Sequence, residues 1–152
     1  MTNPARMYRE SAVRGASPVG LIVILYEEVV RLLRQAQRGI GENDIERRIL
    51  SLNQAIRIIG HLQAILNFEA GGGVARHLAS FYNAARTAIL DANATANASI
   101  LSSLAASFSD LAGAWQQVDR ALARPENGPA GSVPHASPHL SSSLQQRFGA
   151  ER

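Results

Sequence analysis

Apolar side chains recur three and four positions apart over residues 18–38, 44–67, 74–92 and 98–122. That spacing gives a helix one apolar face. The first stretch carries Ile22, Leu25, Val29, Leu32 and Ala36, and the second Ile45, Leu52, Ile56, Ile59, Leu62 and Leu66. The third runs through Val74, Leu78, Phe81, Ala85, Ala88 and Ala92. The fourth is the most regular, with Ile100, Leu104, Leu111, Trp115, Val118 and Leu122. Breaks this short join antiparallel neighbours, so the pattern predicts an all-α, up-down-up-down four-helix bundle.

Local signals set the expected boundaries. Ser17-Pro18 starts the first helix, with serine capping an orphan N–H and proline at a position whose N–H is unused. Gly39 and Gly41 end it, and either Asn43 or Asp44 can cap the second. Gly71-Gly72-Gly73 predicts the second break. Asn93–Asn97 predicts the third, with Asn97 as cap. In the third helix Ala79, Ala84, Ala85 and Ala88 permit close backbone approach.

Outside this periodic region the chain changes character. Residues 1–16 form a polar N-terminal arm that still holds Met7, Tyr8 and Val13. Residues 17–124 form the bundle domain. Residues 125–152 hold four of the six prolines, with serine, glycine and histidine, and read as a disordered tail. Within that tail Leu140, Leu144 and Phe148 recur at four-residue spacing, which suits a short amphipathic turn.

The apolar arc is wider than an interior stripe needs. Leu21, Ile24, Tyr26, Ile58, Ile65 and Ile89 are the candidates for the excess. An apolar groove on a bundle receives an amphipathic helix, whereas burial through supercoil drift or in a homodimer is the competing explanation.

Composition removes most other chemistry. No cysteine is present, which excludes disulfides and thiolate sites. The 15 basic residues of the Lys/Arg set are all arginine, against 12 acidic residues. Their signs alternate through Glu27, Glu28, Arg31, Glu42, Asp44, Glu46 and Arg47. With neither a basic stripe nor clustered aromatics, nucleic-acid binding is not expected. The longest apolar run, residues 19–26, falls far short of the roughly 20 residues that span a bilayer. The N-terminus lacks the layout of a signal peptide, so a cytoplasmic location without membrane insertion is expected. Glu42 and Glu46 share a face only beside Arg47 and Arg48. His61 and His77 fall on different helices, His135 and His139 in the tail, and no Glu-x-x-His motif occurs. Neither an acid–base pair nor a metal site follows, and the chain is not expected to be an enzyme.

The order and spacing of several short blocks resemble the flagellin export chaperone family FliS, over about residues 8–120. Tyr8-Arg9-Glu10-Ser11-Ala12-Val13 is similar to its tyrosine arm, and Gly15-Ala16-Ser17-Pro18 followed by Val19 to Tyr26-Glu27 to its first helix. Gln54-Ala55-Ile56-Arg57-Ile58-Ile59, Leu66-Asn67-Phe68-Glu69, Gly71-Gly72-Gly73 and Leu78-Ala79-Ser80-Phe81-Tyr82 resemble its second block. Ile89-Leu90-Asp91-Ala92-Asn93 and Leu111-Ala112-Gly113-Ala114-Trp115 resemble the ends of its third and fourth helices. The chain departs from the family at Glu27-Glu28, Asn53-Gln54-Ala55 and Asn83-Ala84-Ala85, and in its long proline-rich extension. These departures bear on client contact more than on fold.

The resemblance implies an ATP-independent, cofactor-free cytoplasmic chaperone. It would hold the disordered C-terminal segment of flagellin as amphipathic helices, block premature polymerisation and deliver the client to the flagellar export gate. It further implies that Tyr8 and Val13 belong to an arm covering a groove in the free protein. Leu21, Ile22, Leu25 and Tyr26 would form the helix-one surface, with Ile22 and Leu25 open to a core role. Ile58, Ile65 and Tyr82 stand as groove or core, while Arg57, Arg86 and Asn93 form a polar rim or a solvated face. Trp115 reads as a packing anchor. The alternative is a self-associating helical adaptor without flagellin specificity.

Overall fold

The structure, a computed structural model, describes residues 15–123. Four helices follow one another: α1 (Pro18–Gly41), α2 (Ile45–Ala64), α3 (Phe68–Thr95) and α4 (Ala98–Ala123). They form the expected all-α four-helix bundle. The arm residues Tyr8 and Val13 and the tail from residue 125 lie outside the described residues.

Each helix start is set by one polar side chain. Ser17 Oγ accepts the Gly20 N–H at 2.9 Å and donates to Asp119 Oδ1 at 2.5 Å, tying the start of α1 to the end of α4. Gln116 Nε2 donates to Glu27 Oε1 at 3.0 Å along the same seam. Of the two candidates at the second break, Asp44 is the cap, accepting the Arg47 N–H at 3.0 Å. Asn43 instead takes the left-handed conformation, φ 55°, which asparagine tolerates better than most residues. Asn97 Oδ1 caps α4 by accepting the Ser99 and Ile100 N–H groups at 3.0 and 3.3 Å.

The second break differs from expectation. The chain leaves helical geometry at 65–67, and Asn67 Oδ1 caps a new helix by accepting the Ala70 N–H at 3.0 Å. Helix α3 therefore begins at Phe68, six residues before the expected Val74. Of the three glycines only Gly72 leaves helical geometry, at φ 51° and ψ −123°. It kinks the helix, so residues 68–71 run on a different axis from the rest. An L side chain is strained in that conformation. Gly72→Ala is expected to destabilise the protein by about 1–3 kcal/mol in denaturant titration.

Gly39 serves a different purpose, inside α1 rather than at its end. A Cβ there would lie 3.0 Å from the Asp44 carbonyl oxygen and 3.1 Å from the Arg48 nitrogen. The close turn of α1 into α2 depends on its missing side chain.

The core is built around four rings. Phe108 lies 5.7 Å from Tyr26 and 4.9 Å from Phe81, centroid to centroid, and Tyr82 lies 6.0 Å from Phe81. The tilted arrangement suits the ring quadrupoles. Leu32, Leu33, Leu52, Ile59, Leu62, Ile89, Leu101 and Leu111 complete this interior.

Packing is uneven around the bundle. Helix α1 packs extensively on α4 and α2, whereas α3 sits more sparsely against both its neighbours. The alanines of α3 do not all close the seam. Ala84 and Ala88, with Ser103, Ala106 and Ser107 of α4, line an open groove of about 780 Å³.

Candidate functional site

The apolar opening of the bundle lies at the end where α1 starts, α2 stops, α3 starts and α4 finishes. It is a pocket of about 290 Å³. Ile22 and Tyr26 enter it from α1, Leu62 from the last turn of α2, and Ile65, Leu66 and Asn67 from the connection. Val74, Ala75, Leu78 and Tyr82 enter from α3 and Trp115 from α4. No lining residue carries a formal charge. Asn67 starts α3 and Gly72 bends it, so the first turn, through Ala70 and Gly71, borders the opening on a different axis from Val74, Leu78 and Tyr82.

The rim is apolar as well. Ile65 is 47% exposed and the nearby Phe68 is 52% exposed. At the same end of the bundle Leu122, in the last turn of α4, is also exposed. The expected stripe of Leu111, Trp115, Val118 and Leu122 therefore leaves the core progressively along α4.

The candidates from sequence divide clearly. Ile22, Tyr26, Ile65 and Tyr82 come together in the pocket, and Trp115 joins them there while still packing on the core. Leu21, Leu25 and Ile58 are half-buried, and the last two pack against the core away from the pocket. Two residues expected among the surface excess, Tyr26 and Ile89, are fully buried. Each falls on the inward stripe of its helix, while Leu90, one position from Ile89, faces solvent.

Arg86 and Asn93 join α3 to α2 rather than bordering the pocket. The Arg86 guanidinium donates to Gln63 Oε1, and Gln63 Nε2 donates to Asn83 Oδ1 at 3.2 Å. Asn93 Oδ1 accepts from Arg48 Nε at 3.1 Å. Arg57 is exposed. Sequence reasoning missed Leu62, Leu66, Asn67, Val74 and Leu78 as lining residues. The Asn67 capping signal was available to find this corner, but the glycine run obscured it.

On the pocket floor, Tyr26 Oη and Tyr82 Oη share a hydrogen bond of 2.6 Å. Burial pushes the Tyr26 phenol up to about 12, against smaller opposing effects from Tyr82 and Trp115. Tyr82 is raised too, by burial first and then by the neighbouring Tyr26. Below pH 10 both phenols are neutral in the folded and unfolded chain. Above it the unfolded chain releases protons that the folded chain retains, so stability falls as pH rises from about 10 to 12. Denaturant titrations are expected to show that decline, with phenolate absorbance of these two residues appearing together with unfolding.

Among the described residues no group of histidine, aspartate and glutamate is placed to hold a metal ion. No described helix is long and apolar enough to cross a membrane. What the fold offers is a four-helix bundle with an uncharged apolar mouth at one end.

Comparison with known proteins gives the family. The model of the family described as "Flagellar protein FliS" matches residues 1–122. The flagellar secretion chaperone FliS of Salmonella typhimurium is 32% identical over 115 residues, covering 75% of this chain and 85% of that protein. The Bacillus subtilis protein of the same name is 25% identical over 129 residues, covering 85% and 96%. That of Campylobacter jejuni is 29% identical over 111 residues, covering 73% and 87%. The chain belongs to the FliS family, a family of non-enzymatic flagellar chaperones.

Proposed function

We propose that this protein is a cytoplasmic flagellar export chaperone that holds the C-terminal segment of flagellin until secretion. The observation that carries the reading is the uncharged apolar pocket at the bundle end, with Ile65 exposed on its rim. Apolar surface of that kind suits the anchors of an amphipathic helix spaced at three and four residues. The names of the relatives, flagellar secretion chaperones, agree with it.

A disordered client fits the energetics of a temporary complex. Ordering the segment costs free energy that offsets part of the apolar gain, so a large contact area need not give irreversible binding. No nucleotide is required, because release needs only a competing partner such as the flagellar export gate. The arm containing Tyr8 and Val13 would cover the groove before the client arrives. Leu21, Ile22 and Leu25 extend the contact along α1, and Ile58, Arg86 and Asn93 extend it along the α2–α3 face.

Titration of the purified chain by calorimetry, with intact flagellin and with flagellin lacking its C-terminal segment, tests the reading. Saturable binding of the intact client alone supports it. Equal binding of both, or of neither, rejects it. A concentration-dependent dimer indifferent to either client would favour the self-associating adaptor, for which Ile45, Ile49 and Leu50 on the first turns of α2 supply exposed apolar side chains.

A further inference from the structure

The pocket floor holds more hydrogen-bond donors than acceptors. Tyr26, Tyr82 and Trp115 bring three polar hydrogens there, on two hydroxyls and one indole nitrogen. The two hydroxyl oxygens, 2.6 Å apart, share a single hydrogen. The other hydroxyl hydrogen has no acceptor among the described residues. Trp115 Nε1 is buried and closes no hydrogen bond. Tyr26 is fully enclosed and Tyr82 is 2% exposed, and both line the pocket, so the spare hydroxyl hydrogen is met from the pocket side.

These donors are not scattered through the core. All three side chains line the one apolar pocket already described. With Tyr26 as donor in the 2.6 Å contact, the unused hydrogen is that of the Tyr82 hydroxyl, on the less enclosed of the two residues. An occupant with only aliphatic anchors would leave that O–H unpaired. An occupant with an acceptor oxygen would satisfy it.

The lining also limits which acceptor fits. With no basic residue on the wall, a carboxylate would be desolvated without a counter-charge, which is costly. Main-chain carbonyls of a bound helix, those of its last turn apart, are already engaged within it. A neutral side-chain carbonyl meets both conditions. We propose that the pocket selects a client helix presenting an asparagine or glutamine carboxamide among its apolar anchors, and that the Tyr82 hydroxyl is the donor that reads it. This inference rests on the chaperone reading and assigns Tyr82 a specificity role within it.

The test is a double-mutant cycle with the full chain and intact flagellin. One arm is Tyr82→Phe; the other replaces each asparagine and glutamine of the client's C-terminal segment by leucine, one at a time. Tyr82→Phe is expected to retain the helical spectrum and to weaken binding about tenfold. One client replacement is expected to weaken binding to the wild-type chain by a similar factor and to have no further effect on the variant. If Tyr82→Phe fails to fold, the client replacements on the wild-type chain decide: one sensitive carboxamide supports the proposal, and none overturns it. Full affinity of a folded Tyr82→Phe, with no coupled client position, overturns the proposal while leaving the chaperone reading intact. Failure of the wild-type chain to bind intact flagellin overturns both.

Discussion

Ile65→Asp is expected to abolish measurable binding of intact flagellin at micromolar concentrations while leaving the free protein's thermal unfolding nearly unchanged. The two effects separate because Ile65 contributes to the pocket rim while remaining 47% exposed. About half of its side chain already meets solvent in the free chain, where an aspartate carboxylate can stay hydrated. In the complex the same change forfeits about 1.5–3 kcal/mol of apolar burial and adds the cost of covering a carboxylate. Together these exceed about 3 kcal/mol, roughly a hundredfold or more in Kd. Leu25→Asp makes the useful contrast, since Leu25 packs against the core cluster and does not line the pocket. Its binding loss should be accompanied by loss of stability. Calorimetric titration together with thermal denaturation of both variants separates the two cases. Unimpaired binding by a folded Ile65→Asp would remove the pocket from the contact.

Phe108→Ala is expected to be the most damaging single truncation of the core. Its ring is fully buried and lies within 5.7 Å of Tyr26 and 4.9 Å of Phe81, so its removal leaves a cavity that helix backbones cannot readily close. Large-to-small changes of this kind cost about 3–5 kcal/mol, against a total stability of about 5–15 kcal/mol for an ordinary domain. For a bundle of this size the melting temperature should fall by roughly 15–25 °C. Circular dichroism measures it directly. A fall of only a few degrees would mean that the aromatic cluster is not the centre of the core.

The parts of this fold that were legible in the chain are those decided locally. Ser17, Asp44 and Asn97 cap helices because the bond each makes reaches only two or three residues along the chain. The four-helix order followed for the same reason, from periodic stretches too closely spaced to be anything but antiparallel neighbours. The second break resisted because two local signals competed. Three glycines in a row read as a helix end, but two of them remain helical, while Asn67 provides the cap four residues earlier than the glycine run.

The site was half legible. Ile22, Tyr26, Ile65 and Tyr82 were recognisable as apolar positions on the right helices, and the family resemblance drew attention to them. Periodicity reports that a side chain is apolar, not which neighbour covers it. It could not show that Trp115 both packs on the core and faces an opening. Nor could it pair Tyr26 with Tyr82, 56 positions apart, because that contact depends on how α1 and α3 meet across the bundle.

On the proposed reading, flagellin's C-terminal segment occupies the pocket beside Trp115, the chain's single tryptophan. Its fluorescence should report this occupancy directly, using a client peptide without tryptophan. The expected result is a saturable blue shift with the C-terminal peptide, at the affinity measured by calorimetry, and no shift with a scrambled peptide of the same composition. Saturable binding by calorimetry with an unchanged Trp115 spectrum would place the client elsewhere on the bundle and rule the pocket out as its site.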